Sequence, residues 1–494
     1  MGGVDLRKRG LALRKPLPTT VLILSALILL TACGREREEN GAGASGEKIG
    51  VEKTATPPKA SRGKPNVILI VADDLDKAVY ERSTLNSAWA PEGASFGNAL
   101  VTTSLCCPSR ASILRGQYAH NTGLVNNDND EPAGGAAYFR EQGLDERTVA
   151  TILRDNGYET WFGGKYLNGY EAAGGLDGYV PPGWDHWRSY LSPFSANVDG
   201  RTVPFIQHYT DWLSVQATTF IDNQRDSSKP FFMEIAPWDT HEPLYIPPRH
   251  KGAYLEQRTP RPPSFNEADV SDKPRWVRDD PPITDRQAAS FDERQVLRMQ
   301  SALTLEDLCR NLIEALRRTD ELDSTYLIFT SDNGYHMGLH GIRAAKFTPY
   351  TEAHEVPMVV KGPGVPREAS FEELVGNTDV APTMLDLAGV EAPGWMDGRS
   401  FAPFLDGEPP EDWRGSLLIE GVRNESTKRP AYSGVRRGGA VYVRYESGEE
   451  EYYDLREDPY QLQSKPQDAP LSIKAKLESL KGCAGDGCRK VEGP

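Results

Sequence analysis

Positive charge is scarce in this chain of 494 residues, with 56 Lys plus Arg against 71 Asp plus Glu and a formal net charge of −15. A protein that grips nucleic acid by phosphate attraction needs the opposite balance, so no nucleic-acid partner is expected, and any anionic ligand needs a local positive site. No repeat of fixed period is present, which excludes a solenoid. Long apolar runs are missing too: Val21 to Leu30 spans ten residues, about half of what crossing a bilayer requires. Cysteine numbers only 6, and no two pairs are spaced as in a zinc knuckle. His241-Glu242 and His354-Glu355 lack the second histidine of H-E-x-x-H, so no zinc protease is indicated. The opening Met-Gly-Gly-Val-Asp-Leu lacks the Ser or Thr of a myristoylation site. Hydrophobic residues at 38% and aromatics at 9% exclude wholesale disorder. An acidic globular enzyme or binding protein remains.

Residues 1–32 read as an export signal. Arg7, Lys8, Arg9, Arg14 and Lys15 precede the short apolar run, and Leu30-Thr31-Ala32-Cys33 then resembles a bacterial lipobox. The expectation is a protein lipidated at Cys33 by the lipoprotein processing machinery and held on the outer face of a bacterial membrane. Secretion after cleavage near Ala32 is the alternative. Residues 33–63 are rich in Gly, Ala, Ser, Glu, Lys and Pro and read as a flexible tether, because they offer too little apolar surface to offset chain ordering. In an oxidising compartment Cys483 and Cys488, in C-A-G-D-G-C, are expected to close a small disulfide loop. Cys309, within a helical pattern, reads as a buried thiol.

Several apolar runs end abruptly in polar clusters. Val67 to Ala72 is uninterrupted and β-branched, as in a strand buried on both faces of a parallel sheet, and it runs into Asp73-Asp74. Phe231 to Ala236 leads to Asp239 and His241, and Tyr326 to Thr330 leads to Asp332-Asn333. Glu159 to Phe162 precedes Gly163-Gly164-Lys165. Helical periodicity over Asp145–Asn156, Asp211–Gln224 and Asp292–Arg318 alternates with these runs. The pattern predicts an α/β domain over residues 64–410, with a mostly parallel central sheet flanked by helices. Its polar strand ends form one crevice at the carboxyl edge. Residues 411–494 change to short alternating stretches and a closing helical segment, which predicts a smaller α+β domain with an antiparallel sheet. Gly93-Ala94-Ser95-Phe96-Gly97 fits the G-x-S-x-G elbow of hydrolases, but no apolar strand enters it, and it is read as a turn.

Asp73, Asp74 and Asp332 are expected to meet at the strand ends. Two carboxylates ~4 Å apart repel by about 4 kcal/mol at an effective dielectric of 20, so a cation must sit among them. The oxygen ligands of the three acids and the Asn333 amide suit Ca2+ or Mg2+ and exclude a thiolate-rich zinc site.

The most specific motif is Cys106-Cys107-Pro108-Ser109-Arg110-Ala111-Ser112-Ile113-Leu114-Arg115-Gly116. Its C-x-P-S-R string resembles the signature of the type I sulfatases of the alkaline-phosphatase-like superfamily, in which the first cysteine, here Cys106, is oxidised to formylglycine. K-P-N-V-I-L-I-V-A-D-D-L, G-G-K-Y, A-P-x-x-x-H-x-P, S-D-N-G-Y-H and K-F-T-P-Y-T-E follow that family's order and spacing. The resemblance runs from about Lys64 to the end. It is nearest the N-acetylglucosamine-6-sulfatase branch, through C-C-P-S-R-A-S-I-L, G-K-Y-L-N and Y-D-L-R-E-D-P-Y-Q-L.

What the resemblance implies is a sulfatase for sulfated sugars or aryl sulfates. It carries Ca2+ in preference to Mg2+, held by Asp73, Asp74, Asp332, Asn333 and the modified Cys106, and it depends on a formylglycine-generating maturase. Cys106 is expected at the start of a helix opened by Pro108, with Arg110 in the first turn, where free N–H groups attract an anion. One hydroxyl of the hydrated aldehyde attacks sulfur, and the second hydroxyl later expels sulfate. Lys165 and Lys346 are assigned to sulfate oxygens, His241 to protonation of the leaving oxygen, shared with Lys346, and Asp332 to a second duty as base. Many relatives carry a histidine two or three residues after the lysine, whereas this chain has Leu167 and Asn168 there, the G-K-Y-L-N form that the N-acetylglucosamine-6-sulfatase branch shares. His336 is the candidate substitute, Asn168 and His336 are candidate substrate contacts, His340 reads as a loop histidine, and His120 is placed at the pocket rim. The alternatives are a phosphomonoester or phosphodiester hydrolase of the same superfamily and a silent surface lipoprotein that binds sulfated glycans.

Overall fold

The computed structural model describes residues 63–343, 346–423 and 428–494. The proposed lipidation site Cys33, the signal and nearly all of the tether lie outside these residues. Within the sheet the parallel core is built from the apolar runs: β1 (Asn66–Ala72), β3 (Glu159–Gly164), β7 (Phe231–Ala236) and β8 (Thr325–Ser331). Every residue of β1 and β7 is buried, and each large aliphatic side chain withdrawn from water this way contributes ~1.5–3 kcal/mol. Around them lie β2 (Ala94–Leu100), β4 (His186–Ser192), β5 (Ser195–Val198), β6 (Arg201–Pro204), β9 (Met358–Lys361) and β10 (Ala369–Gly376). The order across the ten strands is β10-β2-β9-β8-β1-β7-β3-β4-β5-β6. Strands β8, β1, β7, β3 and β4 run parallel to one another, and β10 is parallel to β2. β9 is antiparallel to both β8 and β2, while β4, β5 and β6 form an antiparallel ribbon at the far edge.

Helices cover both faces, as a mostly parallel sheet requires. One face buries Val67, Leu69, Phe232 and Phe162 under α1 (Cys106–Arg115) and α4 (Val380–Leu387). The other buries Ile68, Ile70, Met233 and Phe329 under α2 (Tyr209–Asn223) and α3 (Asp285–Arg318). Helix α3 begins seven residues before the expected Asp292. Thr284 accepts from the Gln287 N–H and Gln287 reaches back to the Thr284 N–H, a capping box that adds two turns.

The turn expected at Gly93–Gly97 is instead most of β2. Ala94 and Phe96 point into the core with Ser95 between them, and β2 pairs with β9 on one side and β10 on the other. The alternation was hidden because the inward residues are small or isolated.

A second sheet follows, β11 (Ser416–Gly421), β12 (Tyr432–Arg437), β13 (Ala440–Tyr445) and β14 (Glu450–Asp454), an antiparallel meander. α5 (Leu471–Leu480) packs on it through Ile473, Leu477 and Leu480. Cys483 and Cys488 are joined by a disulfide, while Cys106, Cys107 and Cys309 are buried free thiols. Three polar ties bind this sheet to the chain following β8: Arg429 Nη1 donates to the Lys346 carbonyl at 2.8 Å, Tyr432 and His354 meet at 3.0 Å, and the Tyr350 hydroxyl donates to Glu451 at 3.1 Å.

Candidate active site

Strand register explains how residues far apart in sequence share one crevice. Ala72 lies opposite Ser331, Ile70 opposite Ile235, and Gly164 opposite Ala236. The next residues of four strands therefore emerge together: Asp73-Asp74, Asp332-Asn333, Asp239 to His241, and Lys165. Gly164 makes this possible at β3, because a Cβ there would sit 1.9 Å from the Ala236 carbonyl oxygen, and its φ is +107°.

Asp74 has φ +57°, which Asp tolerates better than most side chains, and the surroundings hold it there. Its N–H donates to Asp332 Oδ1 at 3.0 Å, and its carbonyl accepts from Arg298 Nη2 at 2.5 Å and from the Thr240 hydroxyl at 3.2 Å. Arg298 also reaches Asp76 Oδ2 at 2.6 Å. Sequence reasoning missed this buried arginine. The available signal was a charged residue on the α3 face that carries Phe291, Ala302 and Leu305.

α1 opens at Cys106 itself, with Leu105 as N-cap, so Pro108 is its third residue and Arg110 its fifth. That corrects the expectation of a helix opened by Pro108 with Arg110 in the first turn: Pro108 still needs no intrahelical N–H partner at this position. From the second turn the Arg110 side chain points back to Asp332 Oδ2 (2.8 Å), to the Lys165 carbonyl (2.7 Å) and toward Asp73 Oδ2 (3.8 Å). The Cys107 N–H donates to Asn127 Oδ1 at 2.9 Å, leaving the Cys106 side chain free to face the acids.

At the centre, Cys106 Sγ lies 3.7 Å from Asp73 Oδ1, 3.9 Å from Asp74 Oδ1 and 2.7 Å from Lys346 Nζ. Lys346 also pairs with Asp74, and Lys165 Nζ donates to Asp73 Oδ2 at 2.6 Å over the Trp238 ring. His241 Nε2 stands 3.7 Å from Asp74 Oδ2 and is partly exposed. The Asn333 amide nitrogen donates to Asp74 Oδ1 at 2.7 Å. Asn168, three residues after Lys165, has no side-chain hydrogen bond to the cluster, and its Oδ1 has no partner among the described residues. His336 is buried, meets Thr348 Oγ1 at 3.2 Å and contacts none of these groups. His340 is buried against Glu267 at 2.7 Å, and His120 pairs with Glu420 at 3.1 Å.

Burial works against ionisation of Asp73, yet Lys165, His241, Arg110 and Lys346 together outweigh it and hold the carboxyl well below the usual range. Asp74 is likewise lowered against its burial, chiefly by Lys346. Burial and the Asp73 charge raise Asp332. Lys165 and Lys346 both stay charged despite burial, because Asp73 and Asp74 respectively face them. Burial pushes the Cys106 thiol up to about 12. An unmodified Cys106 is therefore a poor nucleophile at neutral pH.

One atom from each of Asp73, Asp74, Cys106 and His241 falls within 4.8 Å of the others, a spacing that fits one cation. The buried Asn333 Oδ1 has no partner among the described residues and adds a neutral oxygen donor beside them. Such an oxygen-rich set suits a hard divalent ion. Asp332 is less free than expected, since its two oxygens already accept from the Asp74 N–H and Arg110. The arrangement is a cup in which Arg110, Lys165 and Lys346 balance three buried acids and which presents residue 106 at a helix N-terminus.

Such a site, at the carboxyl edge of a mostly parallel α/β sheet, defines a hydrolase of anionic esters. The sulfatase family model matches residues 65–390, and a model for the C-terminal part of N-sulphoglucosamine sulphohydrolase matches residues 338–480. The goat (Capra hircus) N-acetylglucosamine-6-sulfatase is 33% identical over 484 residues, covering 87% of this chain and 86% of the relative. Among solved structures, one of a protein in complex with its substrate D-glucosamine-2-N,6-O-disulfate superposes with a TM-score of 0.71 at 22% identity, over 86% of this chain and 98% of the other. A phosphonate monoester hydrolase from Silicibacter pomeroyi shares the fold at a TM-score of 0.62 and 20% identity, over 85% and 94%. The chain belongs to the sulfatase family and is a sulfuric ester hydrolase.

Proposed function

We propose that the enzyme removes sulfate from a sugar ester of the 6-O-sulfated glucosamine type. The observation that carries the reading is Cys106 at the first position of α1, against Asp73 and Asp74 and 2.7 Å from Lys346 Nζ. The names of the 33%-identical relative and of the substrate in the structural neighbour support the sugar class.

Formylglycine at position 106, made by a maturase, supplies an aldehyde hydrate whose hydroxyl is the nucleophile toward sulfur. A divalent cation, Ca2+ in preference to Mg2+, would be held by Asp73, Asp74, Asn333, Asp332 and the oxygen of residue 106, and would add positive charge at the sulfate. Lys165 and Lys346 bind sulfate oxygens as charge develops there. His241, the partly exposed member, gives a proton to the sugar oxygen as its bond to sulfur breaks. Arg110 is a positioning residue, fixing both the Asp332 carboxylate and the Lys165 backbone.

Measuring kcat/KM on matched nitrophenyl sulfate and nitrophenyl phosphate, alongside mass spectrometry of the Cys106 peptide from the native host, tests the reading. Sulfate preference with an aldehyde at 106 is the expected result. Phosphate preference would instead support the phosphoester hydrolase, a chemistry the shared fold permits, and a thiol at 106 without turnover would support a glycan-binding lipoprotein. Export and lipid anchoring at Cys33, with residues 33–63 as tether and the catalytic and C-terminal parts divided near residue 410, complete the proposal; the basic-then-apolar leader and the lipobox-like L-T-A-C support it.

A further inference from the structure

In the reading above His241 gives its proton to the sugar oxygen, so the sugar lies on the His241 side of the sulfate. None of residues 241–246 is buried, and no buried residue interrupts the chain's surface from His241 to Tyr245. Four residues reach at most ~14 Å, the span of one or two sugar rings from the reacting centre. Ring contacts follow the same line. Trp238 lies 5.6 Å from the His241 ring and 5.6 Å from Lys165 Nζ, and Tyr209 lies 6.4 Å from Trp238 and 6.1 Å from Tyr245. Tyr245 in turn meets Phe194 edge-on at 6.0 Å.

Tyr245 lines an open groove of about 650 Å³, within the ~300–1,000 Å³ range of small-molecule sites. One side is Pro193-Phe194, the turn between β4 and β5, together with Ile206 just past β6. The other is the segment from Leu244 to Pro248, with Leu297 of α3. Single apolar residues on a surface are ordinary, but Phe194, Ile206, Tyr245 and Leu297 are 56%, 96%, 39% and 40% exposed around one space. Both aromatic rings are therefore within reach of a ligand.

The groove is already braced. His208, the N-cap of α2, accepts at Nδ1 from the Thr210 N–H at 3.3 Å, which leaves its proton on Nε2 to donate to the Tyr245 carbonyl at 2.5 Å. Arg249 ties the same segment to Asp211 of α2, at 2.6 and 2.9 Å, and to Asp307 of α3, at 2.8 Å. A wall fixed in advance costs a ligand little ordering. A sugar presents C–H faces to aromatic rings and hydroxyls to amides, and the groove offers both through Tyr245, Phe194 and the exposed Gln207.

Resting on the sulfated-sugar reading above, we propose that this groove is a subsite for a sugar ring joined to the sulfated one, with Tyr245 and Phe194 as the stacking residues that select longer substrates. Kinetics on 6-O-sulfated glucosamine and on the two disaccharides that extend it, at C1 or at C4, test it. At least one disaccharide should exceed the monosaccharide in kcat/KM by about tenfold. Tyr245→Ala and Phe194→Ala should each raise KM for that disaccharide by about three- to tenfold, the value of one aromatic anchor, with the monosaccharide and Tm unchanged. Tyr245→Phe should keep the gain, because the ring and not the hydroxyl makes the contact. Equal kcat/KM for all three sugars overturns the proposal. So do alanine variants that keep the gain, or that weaken the monosaccharide as much as the disaccharide. Loss of phosphatidylcholine-vesicle binding or of a dimer in those variants, with the gain intact, would assign the patch to a membrane or a second copy and likewise overturn it. Calorimetry with the desulfated disaccharides reads the groove without turnover. Binding that Tyr245→Ala abolishes, in an enzyme that leaves the 6-O-sulfate intact, would uphold the groove and sink only the 6-O-sulfate reading.

Discussion

Replacing Glu234 by Gln should stabilise the fold in alkali and hardly change it in acid. Glu234 lies in β7 between Leu69 of β1 and Phe162 of β3, on a sheet face that is otherwise apolar, and one of its oxygens has no partner. Burial pushes its carboxyl up to about 7 from 4.5, with the Arg110 charge offsetting only part of the effect. A raised carboxyl means that the folded state keeps its proton longer than the unfolded chain does. The penalty is therefore absent below pH 4.5, grows as pH rises toward 7, and is constant above. At about 1.4 kcal/mol per pH unit the gap amounts to about 3 kcal/mol. Urea unfolding followed by tryptophan fluorescence should show Glu234→Gln gaining less than about 1 kcal/mol at pH 5 and about 3 kcal/mol at pH 9. An equal gain at both pH values, or a loss at pH 9, would refute the reasoning.

Arg298→Met should destabilise by about 3–5 kcal/mol in the same assay, because it leaves Asp76 buried without its 2.6 Å partner and frees the Asp74 carbonyl; a change below about 1 kcal/mol would show that the pair is dispensable. Cys33→Ala should move the protein from the membrane fraction to the soluble one in the native host, and unchanged membrane association would contradict lipid anchoring.

The parts of the fold that could be read directly are those where chemistry and geometry coincide. In β1 the apolar run from Val67 to Ala72 is ended directly by acids, and in β8 the run from Tyr326 to Phe329 is followed by Thr330, Ser331 and Asp332, the pattern of strands buried in a parallel sheet and open at one end. β7 reads the same way apart from Glu234, an acid buried where the pattern calls for an apolar residue. β2 was missed because Ala94 and Gly97 carry no periodic signal, and the reversed β9 because direction leaves no mark on four residues, Met358 to Lys361. At the site, motif spacing brought Asp73, Cys106, Lys165, His241, Asp332 and Lys346 into view. It could not show that Asp332 is engaged by Arg110, nor that His336 is buried against Thr348 away from the cluster. Those facts depend on side-chain direction and on α3, whose polar residues at core positions, Gln295 and Arg298, were the overlooked clue.

The small four-stranded sheet grips the segment after β8 at Lys346, Tyr350 and His354. Lys346 thus takes its posture partly from beyond residue 410, and a graft or shortened version ending there would keep every catalytic letter while losing the hand that steadies one of them. Divergence along β12 to β14 can in this way retune the chemistry from a distance.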